Sequence, residues 1–140
     1  MAIRRDTIRQ QALEALAPAV QQTGGRVTGG VYAITGPSPW LMNELGLIGQ
    51  FFVKYYFVAV TEQQVFFLRM NRMTNRPGEI EYAAPRQAVQ VTDYKRRPLW
   101  SSFKMMAPGM DKPLRLNVHR IWREDLDFFG SALGIAAPVQ

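Results

Sequence analysis

The chain has 140 residues, 47% hydrophobic and 20% charged, which indicates one globular domain with its own core and excludes an intrinsically disordered chain. It has no cysteine, which excludes disulfides, thiolate nucleophiles and cysteine-based metal centres and fits a cytoplasmic protein. The net charge of +6 allows an anionic partner, whether nucleic acid, an acidic protein or an anionic membrane leaflet.

The N-terminal residues 3–17 predict an amphipathic helix, with Ile8, Ala12 and Leu16 at helical spacing. Pro18 is expected to end this helix, because proline has no N–H to donate and disfavours helix in the residue before it. No apolar segment of signal-peptide type follows the basic N-terminus, so we expect no secretory signal. The helix is expected to dock on the rest of the chain; a partner-binding or membrane-surface helix is the alternative.

The glycine-rich residues 21–30 predict a linker and turn, and they lack the Lys-Ser or Lys-Thr pair of a phosphate-binding P-loop. Residues 31–35 predict a first strand, which the prolines after Gly36 end. The apolar residues 40–52 predict a short helix or a buried loop. Polar and charged residues interrupt the longest apolar neighbourhood, residues 39–60, so we predict no transmembrane segment.

Residues 54–70, KYYFVAVTEQQVFFLRM, predict a β-hairpin whose arms are residues 54–61 and 64–70. Both arms are rich in the aromatic and β-branched residues that fit a pleated, buried surface. Neither face of the first arm is polar, so each face needs a cover. If the rest of the chain does not supply that cover, a second copy of the chain or a partner must.

Four further strands and one helix are predicted after this hairpin. Short strands fall at residues 79–83 and 88–93, and a second hairpin at residues 99–106 and 114–118. Acidic residues in the first turns of the helix that follows have a structural explanation, because the helix dipole favours carboxylates there. The helix has one apolar stripe: Trp122, Leu126, Phe129 and Leu133.

The single histidine, His119, gives no catalytic pattern. No nucleophile-elbow sequence surrounds Ser101 or Ser102, and a lone histidine at a strand-to-helix junction is most often structural. One imidazole and no thiolate leave few ligands for a metal. We therefore predict no enzyme activity, no cofactor and no metal site.

A basic segment, residues 95–97, lies between Tyr94 and Trp100 and is the nearest approach to a nucleic-acid-binding pattern. Strand alternation would direct some of these aromatic side chains into the core, so core packing is favoured over base stacking. No helix-turn-helix or RNA-recognition signature is present. We do not expect a nucleic-acid partner.

About seven strands with meander connections, followed by one amphipathic helix, resemble the pleckstrin-homology superfold. Three segments are similar to small bacterial pleckstrin-homology-like domains of unknown function: Tyr55–Thr61, the apolar strand after it, and Leu114-Arg115-Leu116 before the Trp122 helix. The resemblance implies an α+β fold, a strongly bent antiparallel barrel of about seven strands capped by the C-terminal helix.

The resemblance divides the chain into an N-terminal helix and linker at residues 1–25, the pleckstrin-homology-like domain at residues 26–134 and a tail at residues 135–140. In the lipid-binding members of that superfold, spaced Lys and Arg residues between the first two strands grip inositol phosphates. Here that connection has Glu44 and no basic residue before Lys54, so we do not expect this headgroup pocket.

The resemblance also implies that the loops after strands one, three and six share one open end of the barrel. Those loops are residues 37–52, 69–78 and 104–112. They interleave methionines and Trp40 with basic residues, so this end is expected to be both cationic and apolar. The candidate binding residues there are Arg69, Arg72, Arg76, Lys104 and Lys112.

We therefore expect a non-enzymatic interaction module that binds a protein partner, self-associates or acts as a scaffold. The alternative is peripheral binding to anionic lipid at the inner membrane surface through the five basic residues. The two functions differ in their response to salt, because lipid attachment through exposed charges is screened and an apolar protein contact is not.

Overall fold

The computed structural model describes residues 2–36, 54–71 and 74–134, without the side chains of residues 2–4. Helix α1 (Ala2–Thr23) precedes the strands, and helix α2 (Arg123–Ala132) follows them. Residues 40–52, predicted as a short helix or buried loop, lie outside the described residues. The other elements are β1 (Val27–Thr35), β2 (Tyr55–Thr61), β3 (Gln64–Met70), β4 (Pro77–Pro85), β5 (Gln90–Lys95), β6 (Trp100–Met106) and β7 (Leu114–His119), with short 3₁₀ helices at Arg86–Ala88 and Arg120–Trp122.

The seven strands form one antiparallel sheet in the order β4-β3-β2-β1-β7-β6-β5. This confirms the predicted α+β class and the predicted antiparallel sheet with a helix after it. The sheet is not closed into a barrel, because β4 and β5 are its two edges and do not pair with each other. Both edges carry features that disfavour further pairing: proline at each end of β4 and an irregularity in β5 between Thr92 and Lys95.

The predicted hairpin is β2 and β3, and its arms begin and end within one residue of the expectation. The Thr61 hydroxyl fixes the turn by accepting hydrogen bonds from the backbone N–H groups of Gln63 and Gln64, at 3.1 and 2.8 Å. Six of the seven residues of β2 are buried within the single chain. The apolar hairpin therefore gives no reason to postulate a covering partner.

Helix α1 docks on the sheet, as expected, but the prediction that Pro18 ends it is wrong. The helix continues through Pro18 to Thr23. Leu16 before the proline is fully buried and Val20 after it is partly buried against the core. Packing on both sides of the proline thus offsets the missing hydrogen bond of its nitrogen. The helix ends before Gly24, whose φ of 78° is the left-handed conformation common after helices.

The glycine-rich segment is also more ordered than predicted, since β1 begins at Val27 and includes two of its glycines. A Cβ atom on Gly29 would lie 2.9 Å from the Cα of Phe129 in α2. A Cβ atom on Gly30 would lie 2.7 Å from the ring of Phe57. The glycines therefore allow α2 and a core aromatic ring to approach the β1 backbone. By composition alone, a glycine-rich strand of this kind cannot be distinguished from a linker.

We predict that Gly29→Ala destabilises the protein by about 1–3 kcal/mol, because the new methyl group meets helix backbone that cannot move without shifting α2. Urea unfolding followed by circular dichroism measures this cost. The neighbouring Thr28→Ala is the control, since it removes only a 3.3 Å hydrogen bond to the Val60 carbonyl. Equal stability of the two variants would show that α2 does not approach β1 this closely.

Candidate functional site

Four of the five basic residues predicted as a binding set lie in the described part of the chain, and two of these are ion-paired. Arg69 Nη1 is 3.2 Å from Glu81 Oε1, and Lys104 Nζ is 3.3 Å from Asp93 Oδ2. Both pairs are partly exposed, so each is a weak contact that still lowers the local positive charge. Arg72 lies outside the described residues.

The remaining two predicted residues, Arg76 and Lys112, are exposed and have no ion pair within the described ranges. Strands β1, β3 and β6 run in the same direction, so their C-terminal ends lie on the same side of the sheet. However, β2, β1 and β7 lie between β3 and β6. The residue that clusters with other cations is Lys104, and its neighbours are on β5 and β7.

The turn after β3 is held by two short hydrogen bonds. The hydroxyl of Tyr32 donates to Asn75 Oδ1 at 2.7 Å, and the Asn75 N–H donates to the Asn71 carbonyl at 2.7 Å. Burial raises the pKa of Tyr32, so this hydroxyl keeps its proton and remains a donor. Arg76 is thereby presented on a fixed turn.

A groove of about 250 Å³ runs between α1, β1 and α2. Its wall includes Phe128, whose ring lies on α2 and is 62% exposed. The backbone of Gly29 and Gly30 forms part of the surface, because neither residue has a side chain to fill the space. The other lining residues are Arg9, Leu13, Val27, Thr28, Phe57 and Asp125.

Ion pairs fix the relative positions of the two helices beside this groove. Arg9 Nη1 donates to Asp125 Oδ1 at 3.0 Å, and Arg5 Nε lies 3.8 Å from Asp125 Oδ2. The Asp125 side chain is only 7% exposed. The sequence accounted for this acid by the helix dipole alone; its arginine partners could not be found because 116 residues separate Arg9 from Asp125.

A second, more polar pocket of about 130 Å³ lies on β5, β6 and β7. It forms at the irregularity in β5, where Asp93 has a φ of 51° and the pairing with β6 shifts. Sequence reasoning placed only Lys104 of this pocket in a binding set. The lining residues are Asp93, Lys95, Ser102, Phe103, Lys104 and Arg115.

His119 is held in a structural role. Its Nδ1 accepts a hydrogen bond from the Ile121 N–H at 3.2 Å, and the Trp100 ring packs edge-on at 4.9 Å between centroids. Burial, followed by the charge of Arg120, lowers the pKa of His119 below its usual 6.5. Ser101 is also engaged, because its Oγ accepts from the Arg97 N–H at 3.1 Å. The absence of enzyme activity stays a prediction.

The aromatic residues near the basic segment pack against other rings. Tyr94 stacks on Phe103 with centroids 6.3 Å apart, and Trp100 contacts His119. Arg96 makes two hydrogen bonds to Asp127 of α2, at 2.9 and 3.0 Å. These contacts agree with the preference for core packing over base stacking.

The chain matches no protein-family model, and a search of curated proteins gives no match. Within residues 2–36, 54–71 and 74–134, no cluster of three or more His, Asp or Glu side chains could hold a metal ion. In the same residues, no helix is both long and apolar enough to cross a membrane. The function must therefore be argued from the two pockets and the charges around them.

We predict that Asp125→Asn lowers the free energy of unfolding by about 1–2 kcal/mol, because it leaves two partly exposed arginines without their carboxylate. A double-mutant cycle with Arg9→Gln measures the coupling through urea unfolding. Arg26→Gln, which changes an exposed arginine, is the matched control for loss of charge. Additive effects of Asp125→Asn and Arg9→Gln would show that this ion pair does not join the helices.

We predict that His119 makes the protein less stable as the pH falls through about 6.5. Its pKa is lower in the folded state, so the unfolded chain binds the proton more readily and the contribution of neutral His119 is lost on acidification. Thermal unfolding of wild type and His119→Asn across this range tests the expectation. The wild type should lose more stability than the variant; parallel pH profiles would contradict it.

Proposed function

We propose that this chain is a non-enzymatic interaction module with a pleckstrin-homology-like fold, and that it binds a protein partner at the groove between α1 and α2. The seven-stranded antiparallel sheet followed by a C-terminal helix supports the fold assignment. The exposed ring of Phe128 at the groove carries the functional assignment.

Leu126 and Phe129, on the apolar stripe of α2, are fully buried in the core, whereas Phe128 is 62% exposed. The core packing of α2 therefore does not account for the position of Phe128 beside the groove. Aromatic residues dominate the binding energy of protein interfaces when they enter or border a pocket. Phe128 with Leu13 and Val27 forms the apolar part of such a pocket.

The expected occupant is a segment of a partner protein that inserts one apolar side chain next to Phe128. A carboxylate beside this anchor would meet Arg9, whose side chain is 46% exposed and has donors that Asp125 does not use. The ion pairs between α1 and α2 hold the groove in place before binding. This preorganisation reduces the entropic cost of association.

The alternative is peripheral binding to anionic lipid through the basic loop residues. The net charge of +6 and the exposed Arg76 and Lys112 favour it. The carboxylates beside Arg69 and Lys104 weaken it, because they lower the positive potential around two of the five expected cations. The groove offers a neutral, preformed contact and is therefore the preferred binding surface.

We predict that a photo-cross-linking amino acid at position 128 captures a discrete protein partner in cells, whereas the same amino acid at position 80 does not. Ile80 is the control because it is also an exposed apolar residue, on the edge strand β4. The captured protein, once purified, should bind wild type at least about tenfold more tightly than it binds Phe128→Ser. It should bind Ile80→Ser as tightly as wild type.

The same proteins are then sedimented with vesicles of an anionic phospholipid and with neutral vesicles, at low and high salt. Equal cross-linking at both positions, or unchanged affinity in Phe128→Ser, would contradict binding at the groove. Pelleting with anionic vesicles alone, lost at high salt, would favour the lipid alternative. A cross-link to a second copy of the chain would identify self-association as the interaction.

A further inference from the structure

We infer that the pocket on β5, β6 and β7 is a binding site for one oxyanion, a phosphate group, held by Lys95, Lys104 and Arg115. This pocket shares no lining residue with the groove between α1 and α2. The inference therefore does not depend on the proposed protein partner.

The strand register concentrates positive charge at this point. Lys104 pairs directly with Arg115 on β7, and Lys95 pairs with Ser102 two residues earlier on β6. Like charges placed directly opposite each other on adjacent strands destabilise a sheet. Two adjacent cations on a half-buried ladder are explained if an anion binds between them.

The single carboxylate in the pocket does not neutralise it. Asp93 lies 3.3 Å from Lys104, but 61% of the Asp93 side chain and 44% of the Lys104 side chain are exposed. An ion pair so exposed is worth little and can be exchanged for a stronger contact. Three cations and one carboxylate leave a net positive charge in the pocket, which suits a phosphate dianion.

Arg115 supplies a second, independent observation. Its Nε has no solvent-accessible surface and no hydrogen-bond partner within the described residues. A buried N–H group without an acceptor is costly, and a charged donor especially so. An oxyanion in the pocket would accept from the Arg115 guanidinium, which is suited to phosphate by its fork of donors.

The size and the remaining donor of the pocket agree with this ligand. The volume of about 130 Å³ admits a single tetrahedral oxyanion. Ser102, which is largely buried, lines the same pocket and adds a hydroxyl donor. The irregularity at Asp93 opens the β5–β6 pairing where the anion would enter.

Thermal unfolding of the full chain in inorganic phosphate tests the site, with sodium chloride at equal ionic strength as the reference. Relative to chloride, phosphate should raise the melting temperature of wild type by more than that of Arg115→Gln, because phosphate stabilises both proteins by exclusion from their surfaces and only the intact site binds it. Titration calorimetry with phosphate should show Kd at least about tenfold weaker for Arg115→Gln and for Lys104→Gln. Arg26→Gln, which removes an exposed cation outside the pocket, should bind as wild type does.

The apo proteins give a further readout. In chloride, Arg115→Gln should melt at or above the wild-type temperature, because it relieves the repulsion with Lys104. Identical melting temperatures of wild type in phosphate and chloride, with no heat of binding, would overturn the inference. An equal loss of phosphate binding in Arg26→Gln would also overturn it, since binding would then be a diffuse effect of charge.

Vesicles distinguish the source of the phosphate group. Wild-type protein that pellets with vesicles containing phosphatidic acid, and is released by inorganic phosphate, would take the group from a lipid. Protein that binds inorganic phosphate but does not pellet would take it from a soluble ligand. The site is supported in both cases, and Arg115→Gln should weaken either form of binding at least about tenfold.

Discussion

The close approach of α2 to β1 is the constraint on which the rest of the structure depends. Gly29 allows the backbones of helix and strand to meet, and any side chain there would separate them. With α2 in that position, Phe129 reaches Phe103 on β6, with ring centroids 5.5 Å apart, so one helix contacts both halves of the sheet. The same position brings Asp125 to the arginines of α1 and places Phe128 at the groove. The contact between α2 and β1 therefore determines both the packing of the core and the position of the candidate site.

Charge in this protein is distributed in two different ways. Around Asp125, cations and a carboxylate from distant parts of the chain neutralise each other, and the arrangement serves the packing of α1 against α2. On β5, β6 and β7, cations are brought together by register with only a weakly held carboxylate among them. A positive net charge alone does not distinguish these arrangements. The two arrangements are distinguished by how deeply the charged atoms are buried and by which partners they have. These properties show which charges serve packing and which are available to bind a ligand.

Local pattern was sufficient to predict the elements, and long-range packing accounts for what it missed. The aromatic and β-branched run of β2 and β3 and the apolar stripe of α2 are properties of neighbouring residues, and both were predicted within a few positions. The predictions for Pro18 and the glycine-rich segment failed because tertiary packing decides both: residues on either side of Pro18 pack into the core, and Gly29 meets the backbone of Phe129, 100 residues later in the chain. Of the candidate site, Lys104 was predicted, but its neighbour Arg115 follows from strand register. Phe128 lies off the predicted apolar stripe, and no sequence pattern indicates that a groove borders it.

The ion pair between Arg9 and Asp125 also constrains the order of folding. Helix α1 is synthesised before the strands on which it docks, which extend as far as β4. The carboxylate that pairs with Arg9 comes 116 residues later in the chain. Contacts of such long sequence separation form late, because the loop-closure entropy must be overcome first. During synthesis the apolar stripe of Ile8, Ala12 and Leu16 therefore remains uncovered. Pro18 weakens the isolated helix over this period, so the uncovered residues are less often aligned into one continuous apolar surface that other nascent chains could bind.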